Sequence, residues 1–317
     1  MTDGDGLKVA VIGVGYLGRF HAQKWATLPG ARLVGIADPV PATRAAVAAE
    51  LGVPAVADWR ELLGEVEAVS IATPTQFHHP IARACLEAGV HVLVEKPITT
   101  TVEEAEDLIR VATAAKRVLQ VGHLERFNAA VRAIEGLVTR PRFIESARLA
   151  PFRQRGTDVS VVLDLMIHDI DLIQSIVRSP LVSIDAIGAK VFSDDLDIAN
   201  VRLKFESGCV ANVTASRVSL KTERKLRLFE DDAYLSLDLQ QKILTVIRKG
   251  AAPADGDLPQ VAIDERTYEQ GDALKAEIEA FADSIKGGRP PLVGGAEGRA
   301  ALETATRIAT LVRAAGH

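Results

Sequence analysis

The sequence predicts an α/β protein in which a doubly wound parallel sheet is followed by an α+β domain with a mostly antiparallel, open sheet. Two observations predict this class. In residues 7–115, short apolar runs alternate with helix-like stretches, which is the pattern of βαβ units. From residue 142 to residue 249, strand-like segments follow one another with a single long helix among them. Because 317 residues exceed one ordinary domain, we expect two domains, 1–122 and 123–317.

The elements of the first domain are predicted from apolar runs bounded by glycine, proline or capping residues. The predicted strands are Leu7–Ile12, Arg32–Ala37, Ala68–Ala72 and His91–Glu95. The predicted helices are Leu17–Leu28, Thr43–Leu51, His79–Ala88 and Val102–Ala115.

The second half changes to segments in which apolar and polar residues alternate, a pattern that favours strands. The predicted strands are Phe143–Leu149, Ser183–Val191, Ala199–Phe205, Val210–Ser216, Leu226–Phe229 and Tyr234–Leu239. A long helix, Val161–Val177, interrupts the series, and Gly250–Pro259 is a predicted surface loop. Helices Asp272–Lys286 and Ala296–Ala314 close the chain, and the last one is free to pack back on the first domain.

The composition argues against several classes of protein. The chain is 48% hydrophobic and 25% charged, with a net charge of −5 and no Lys/Arg block, so a large core is expected and a nucleic-acid partner is not. Cys85 and Cys209 predict neither a disulfide framework nor a metal site. The polar N-terminus predicts no secretory signal, and no apolar run is long enough to span a membrane. We therefore expect a cytoplasmic protein.

A buried strand leads directly into Gly13-Val14-Gly15-Tyr16-Leu17-Gly18, and a helix follows. The first glycine permits the turn, the second lets a pyrophosphate approach the backbone, and the third lets helix and strand pack closely. Asp38 ends the next strand, where its carboxylate can accept hydrogen bonds from ribose hydroxyls and would repel a 2′-phosphate, which favours NAD over NADP. Two alternatives remain at this point: Asp38 is a turn residue before Pro39, or the nearby Arg44 accommodates NADP.

The strand His91–Glu95 ends in Glu95-Lys96-Pro97. Since ligands of open α/β sheets bind at the carboxyl ends of the strands, Lys96 is predicted to point toward the ligand crevice, while Pro97 ends the strand. The alternative is an ordinary solvated lysine that follows a strand.

Asp164, His168 and Asp171 are spaced i, i+4 and i+7 in the long helix, and with Ser175 they share one narrow face. The remaining face is largely apolar, whereas a surface helix has a broad polar side. The stripe therefore predicts groups that line a cleft, in which Asp164 or Asp171 orients His168. A satisfied structural network is the alternative.

Together these motifs resemble those of the Gfo/Idh/MocA oxidoreductases, over essentially the full length of the chain. The resemblance depends on the glycine loop, Ala72-Thr73-Pro74, Glu95-Lys96-Pro97 and Asp164-x-x-x-His168-x-x-Asp171. It implies an N-terminal Rossmann domain that binds NAD, a C-terminal sheet that carries homodimer or homotetramer contacts, and a catalytic group of Lys96, Asp164 and His168. The residues assigned to the cofactor are Gly13, Gly15, Tyr16, Leu17, Gly18, Asp38, Thr73, Pro74, His78, Glu95 and Lys96.

Two further segments are similar to those of UDP-N-acetylglucosamine 3-dehydrogenases, which make a 3-keto sugar nucleotide for lipid A synthesis. They are residues 121–128 and Arg155-Gly156-Thr157-Asp158. A sugar diphosphate needs cationic partners, and Arg126, Arg153 and Arg155 lie on segments that flank the proposed cleft. Each of these arginines would equally suit a structural salt bridge. The residues assigned to a small-molecule substrate are Lys96, Arg126, Asn128, Arg155 and His168.

The chemistry that these residues suit is the oxidation of a secondary alcohol, in which a base takes the hydroxyl proton. His168 is the better base, because the reference pKa of histidine is about 6.5 and that of lysine about 10.4. We expect Lys96 to hold the hydroxyl and stabilise the developing charge, unless its own pKa is lowered enough to make it the base. The alternatives are a dehydrogenase of a free sugar or inositol, and an inactive NAD-sensing regulatory protein.

Overall fold

The computed structural model describes residues 6–152, 159–250, 261–268 and 271–315. The chain divides into two compact units: residues 1–124 with 272–302, and residues 125–271 with 303–317. This differs from the predicted division, because residues 272–302 belong with the N-terminal unit. Among the described residues, no helix combines the length and the apolar character needed to span a membrane.

The two units contain the following elements. The α-helices are α1 (Tyr16–Thr27), α2 (Pro41–Leu51), α3 (His78–Glu87), α4 (Val102–Ala115), α5 (Ala129–Arg132), α6 (Ile167–Val177), α7 (Ala273–Gly287) and α8 (Gly295–Ala314). The strands of the first unit are β1 (Leu7–Ile12), β2 (Ala31–Ala37), β3 (Ala55–Val56), β4 (Ala68–Ile71), β5 (His91–Glu95) and β6 (Leu119–Gly122). Those of the second are β7 (Phe143–Leu149), β8 (Leu181–Ala189), β9 (Ile198–Phe205), β10 (Val210–Ser216), β11 (Glu223–Phe229), β12 (Ala233–Asp238), β13 (Ile243–Lys249) and β14 (Val261–Thr267).

The first unit is a doubly wound parallel sheet with the order β3-β2-β1-β4-β5-β6, in which every neighbouring pair is parallel. The strand order reverses between β1 and β4, the point at which such sheets bind ligands. The loops that follow β1 and β4 carry Gly13 and Thr73, so the fold brings these two predicted segments together. The sequence did not predict β3 and β6, which are too short for periodicity to identify.

Helix α7 belongs to the first unit because it completes the core on one side of the sheet. Leu274, Ile278 and Phe281 pack into the same buried cluster as residues of β1, β2 and α1. The ring of Phe281 lies edge-on to Trp25 of α1, with the centroids 6.2 Å apart. The apolar face of α7 therefore has its partner in the N-terminal unit, which a division made by chain order cannot anticipate.

The second unit contains an eight-stranded sheet with the order β14-β13-β12-β11-β7-β10-β9-β8. All neighbours are antiparallel except β7 and β10, which are parallel. Buried and more exposed residues alternate along β7 and β9, as in a sheet covered on one face, and α6 packs against β7 and β10. The mostly antiparallel open sheet is confirmed. The sequence missed β13 and β14, and β14 is exposed along its whole length and so carries no alternating signal.

The predicted long helix 161–177 is not a uniform α-helix. Residues Val162–Met166 form a π-helical turn, and α6 follows directly from it. A π turn holds more residues than an α turn, so the angular spacing assumed for Asp164 and His168 is not that of a regular α-helix. Such insertions occur often at functional sites.

Candidate active site

The glycine loop connects β1 to α1 as predicted. Gly13 has a φ of +81°, and a Cβ on Gly18 would lie 1.8 Å from the carbonyl oxygen of Gly13, so both positions require glycine. A Cβ on Gly15 would meet no atom within 4 Å. Gly15 is the N-cap residue of α1 and, with Gly13, lines a cavity, and the N-terminus of a helix suits a phosphate.

Asp38 lies just after β2 and is oriented by the backbone of the loops around it. Its Oδ2 accepts a hydrogen bond from the amide of Val14 at 2.9 Å, and its Oδ1 accepts one from the amide of Val40 at 2.9 Å. Arg44 donates to the backbone carbonyl of Asp38 at 2.6 Å. The carboxylate is thus held at the glycine loop. Arg44, on which the NADP alternative depends, already donates a hydrogen bond within the protein.

A cavity of about 600 Å³ lies beside these residues in the first unit. Its lining includes the predicted residues Gly13, Gly15, Asp38, Thr73 and Pro74. It also includes residues that the sequence did not predict for the site, namely Val40, Trp59, Arg60, Phe77 and Ile81. The guanidinium carbon of Arg60 lies 4.8 Å from the centre of the Trp59 ring. Trp59 and Arg60 follow the unpredicted strand β3, where no periodic pattern marks them. Val40 lies just before α2, Phe77 just before α3, and Ile81 within α3.

Two alanine substitutions separate the fold of the loop from its binding role. Gly15→Ala is expected to leave the melting temperature unchanged and to raise the Kd for NAD⁺ at least about tenfold, because its methyl group has room in the protein alone. Gly18→Ala is expected to lower stability, because its methyl group collides with the backbone of Gly13. Calorimetric titration and thermal unfolding measure both, with the exposed Gly64→Ala as the control. Wild-type affinity in Gly15→Ala would show that the loop binds no phosphate.

His78 links the two loops that follow β4 and β5. Its Nδ1 lies 2.9 Å from the carbonyl oxygen of Pro97, and its Nε2 lies 2.9 Å from that of Thr73. Burial lowers the pKa of His78, and a neutral ring has one N–H to share between the two carbonyls. Because both nitrogens face the protein, the structure gives His78 a supporting role rather than the predicted cofactor contact.

Lys96 is half-buried and follows the last residue of β5, as predicted. Glu95, which the sequence assigned to the cofactor, lies only 9% exposed, and its Oε1 is 2.9 Å from Nε2 of His21. The Glu95 carboxylate is therefore bound inside the unit, and Lys96 directly follows it in the chain.

In the second unit, Asp164 lies in the π turn and His168 in the first turn of α6, and both are half-buried. Asp171 is 3% exposed, and its Oδ1 accepts a hydrogen bond from Arg126 at 3.3 Å. Arg126 thus forms a salt bridge with Asp171, which is the alternative to substrate binding that the sequence analysis considered for this arginine.

Asn128 has a structural role in place of the predicted substrate contact. Its side chain caps α5 by accepting from the amide of Ala130 at 3.1 Å and donates to the carbonyl of Leu239 at 2.9 Å. It is 5% exposed. Arg155 lies outside the described residues, as does Arg153.

A buried ionic network supports the strand and helix that flank His168, and the sequence analysis did not predict it. Arg148 of β7 donates to Asp169 at 2.6 Å and to Glu125 at 2.9 Å, and Ser146 donates to Asp169 at 2.9 Å. Burial alone would lower the pKa of Arg148, but the carboxylates of Asp169 and Glu125 raise it overall. Because Asp169 directly follows His168, the network fixes the backbone that carries the histidine.

Comparisons with known proteins match both halves of the chain. Residues 7–123 match the oxidoreductase family with an NAD-binding Rossmann fold, and residues 112–236 match the GFO/IDH/MocA C-terminal domain. The UDP-N-acetylglucosamine 3-dehydrogenase of Acidithiobacillus ferrooxidans is 40% identical over 97% of this chain and 98% of its own. The scyllo-inositol 2-dehydrogenase (NAD(+)) of Bacillus subtilis is 27% identical over 90% of this chain and 88% of its own.

A solved structure of the UDP-N-acetylglucosamine 3-dehydrogenase GnnA from Acidithiobacillus ferrooxidans superposes with a TM-score of 0.92. The two sequences are 39% identical, and the match covers 98% of each chain. The chain therefore belongs to the Gfo/Idh/MocA family of oxidoreductases, and its first unit is an NAD-binding Rossmann domain.

Proposed function

We propose that this protein is an NAD-dependent dehydrogenase that oxidises the 3-hydroxyl of UDP-N-acetylglucosamine to a ketone, as a step in lipid A precursor synthesis. The observation that carries the proposal is the 40% identity to a UDP-N-acetylglucosamine 3-dehydrogenase over nearly the whole of both chains. The agreement of the folds, with a TM-score of 0.92, supports it.

The described residues fit the cofactor. The loop with Gly13 and Gly15 suits the pyrophosphate, and Asp38 suits the hydroxyls of the adenosine ribose, since its oxygens retain further acceptor capacity beside their two backbone bonds. The cavity at Asp38 is lined mainly by apolar groups, including Trp59, which suit a purine. NAD supplies the hydride acceptor for the reaction.

The remaining chemistry is proton transfer, which we assign to His168 and Lys96. His168 takes the proton of the substrate hydroxyl as general base, and Asp164 orients its ring. Lys96 donates a hydrogen bond to the same oxygen and stabilises the negative charge that develops there. These roles are proposals that the resemblance supports. Substitution of either residue is expected to lower kcat and to leave the affinity for the cofactor nearly unchanged.

A dehydrogenase of an inositol or a free sugar is the second candidate, and the 27% identity to an inositol 2-dehydrogenase favours it. The deciding experiment is NADH formation on a panel of UDP-N-acetylglucosamine, UDP-glucose, N-acetylglucosamine and inositols. Turnover of UDP-N-acetylglucosamine with a 3-keto product supports the proposal. Turnover of only the free polyols supports the second candidate, and NAD⁺ binding without turnover of any member favours a regulatory protein.

Substitution of a single arginine distinguishes a sugar nucleotide from a free sugar. We expect Arg155→Ala to raise KM for UDP-N-acetylglucosamine about ten- to a hundredfold, since loss of one charge-assisted hydrogen bond to a phosphate costs about 1.5–3 kcal/mol. Arg140→Ala, at an exposed position, is the control and should leave KM unchanged. Initial-rate kinetics at saturating NAD⁺ measure both. An unchanged KM in Arg155→Ala would remove this residue from the substrate site.

We also propose that the protein forms a homodimer or homotetramer. The second unit exposes large apolar side chains on the two edge strands of its sheet, namely Val182 and Ile187 of β8 and Val261 and Ile263 of β14. Exposed apolar groups of this kind are typical of surfaces that bind another protein. Native mass spectrometry measures the oligomeric state directly, and a monomer at micromolar concentration would contradict the proposal.

A further inference from the structure

Three ionisable side chains meet in the interior of the first unit. They are His21 of α1, Glu95 at the end of β5, and Glu277 of α7. Nε2 of His21 lies 2.9 Å from Oε1 of Glu95, and one nitrogen or oxygen atom from each of the three residues lies within 4.8 Å of the others. His21 and Glu277 are 0% exposed and Glu95 is 9% exposed. Three elements of the unit are therefore joined at one polar point within an apolar core.

The surroundings give Glu277 nothing that would stabilise a negative charge except the histidine that already contacts Glu95. Within the described residues, neither carboxyl oxygen of Glu277 has a hydrogen-bond partner, and no arginine or lysine pairs with it. From β6, Gln120 donates to the backbone carbonyl of Glu277 at 3.0 Å and adds no charge. From α3, His78 interacts electrostatically with Glu95.

Two buried carboxyl groups at this separation do not both ionise at neutral pH, because each negative charge opposes the other. Burial raises the pKa of Glu277 well above its usual range, and the charge of Glu95 raises it further. Glu95 is the carboxylate of the pair, because it has the hydrogen bond to His21. The proton therefore belongs on Glu277.

The sheet leaves a space shaped for the Glu95 carboxylate. Gly122 of β6 pairs with Glu95, and a Cβ at residue 122 would lie 2.9 Å from the Glu95 carboxyl carbon. Glu95 is thus confined by β6 on one side and by α1 and α7 on others. The residue held in this way is the one that immediately precedes Lys96.

We propose that His21, Glu95 and Glu277 form a proton-holding cluster, with Glu277 as its neutral acid, and that Glu277 is thereby a positioning residue for Lys96. The cluster joins the end of β5 to α1, the helix that begins at the glycine loop. This inference rests on the proposed role of Lys96, although the protonation of Glu277 is measurable without any substrate.

The first test is the protonation of Glu277. Infrared difference spectra of wild type against Glu277→Gln should contain the C=O stretching band of a protonated carboxylic acid at pH 7. The unfolded chain releases this proton near pH 4.3, about the reference value for glutamate, whereas the folded protein keeps it. The free energy of unfolding should therefore fall as the pH rises from that value to the raised pKa of Glu277 and level off above it.

Glu277→Gln should remove this fall, and Glu279→Gln, in the same helix at a side chain that is 45% exposed, should keep it. Urea unfolding at a series of pH values measures the slope in all three proteins. A missing infrared band, or the same slope in wild type and Glu277→Gln, would overturn the protonated state.

The second test is the position of Lys96. We expect Glu277→Leu to lower kcat about tenfold, within the loss that a small misplacement of a reacting group causes, while the Kd for NAD⁺ changes less than about threefold. Glu277→Gln, which keeps a neutral polar side chain of nearly the same size, should recover most of the lost kcat, and Glu279→Gln should match wild type. Equal kcat in wild type and Glu277→Leu would overturn the positioning role.

A third measurement needs no substrate, so that failure of the proposed function can be distinguished from failure of this inference. The rate at which acetic anhydride modifies Lys96, followed by peptide mass spectrometry over a range of pH, should differ between Glu277→Leu and wild type and be unchanged in Glu279→Gln. If wild type oxidises no member of the panel, the proposed function fails and this rate still decides the position of Lys96. Identical modification profiles in Glu277→Leu and wild type would overturn the inference.

Discussion

Replacing Lys96 with alanine is expected to lower kcat for UDP-N-acetylglucosamine about a thousandfold, within the range that a residue acting on the transferred proton or its oxygen contributes. The Kd for NAD⁺ should change less than about threefold, because the pyrophosphate and ribose are assigned to the glycine loop and Asp38. Stopped-flow measurement of NADH formation gives the first quantity, and calorimetric titration gives the second. The exposed Lys8→Ala, in β1 of the same unit, is the control and should match wild type in both.

The same residue decides which group is the base. If Lys96 supplies only positive charge to the oxygen of the substrate hydroxyl, Lys96→Arg should keep part of the activity. The fall of kcat on the acid side of its pH profile should then occur at the same pH as in wild type. In that case His168→Asn should abolish this fall of kcat at acid pH. If Lys96 is the base, Lys96→Arg should be as inactive as Lys96→Ala, because arginine stays protonated. Normal turnover in both Lys96→Ala and His168→Asn would show that neither residue takes part.

The parts of the fold and site that the sequence predicted depend on local signals. The glycine loop is identified because a strand, the spacing of Gly13, Gly15 and Gly18, and a helix all lie within a few residues of one another. The positions of Asp38 and Lys96 directly after strands are predicted correctly, because in each case the apolar run marks the end of the strand. The doubly wound sheet follows from the alternation of such runs with helices, and it required no knowledge of distant contacts.

The parts that were missed depend on contacts between distant segments. Asparagine is a residue type that often contacts ligands, and the hydrogen bond from Asn128 to the carbonyl of Leu239 joins residues far apart in the chain. The π turn at Val162–Met166 is invisible to a pattern that assumes a constant turn. Glu277 lies in a helix whose sequence shows only the periodicity of an amphipathic helix. Its proximity to Glu95 depends on the fold, because the two residues are far apart in the chain. Periodicity predicts which face of a helix is buried but not which charge is buried with it.

The largest effect on stability is expected for Arg148→Met. The substitution keeps an unbranched side chain of similar reach but leaves the carboxylates of Glu125 and Asp169 buried without their main cation. Removal of one partner from a buried ionic network costs about 3–5 kcal/mol. Arg224 compensates little, because it lies 3.5 Å from Glu125 and is 48% exposed. Urea unfolding at pH 7 measures the loss.

A matched control is available on the neighbouring strand. Arg227 of β11 pairs with Glu145 at 3.2 Å, with the two side chains 44% and 42% exposed. Exposed pairs of this kind contribute about 0–1 kcal/mol, so Arg227→Met should unfold almost as wild type does. A loss in Arg148→Met no larger than that in Arg227→Met would contradict the ionic role of the buried network.

The pH dependence of the Arg148→Met variant separates lost charge from lost packing. Without the arginine, the carboxyl groups of Glu125 and Asp169 are buried without their main cation, and a buried carboxyl group without a cation favours its neutral form. The variant should therefore lose stability as the pH rises through the acid range, and its deficit relative to wild type should be smallest near pH 4 and largest at pH 7. The double variant Arg148→Met/Asp169→Asn should recover part of the deficit at pH 7, because it removes one of the unpaired charges. A deficit that is equal at both pH values would instead identify the loss as one of packing, and the backbone beside His168 would then be held by shape and not by charge.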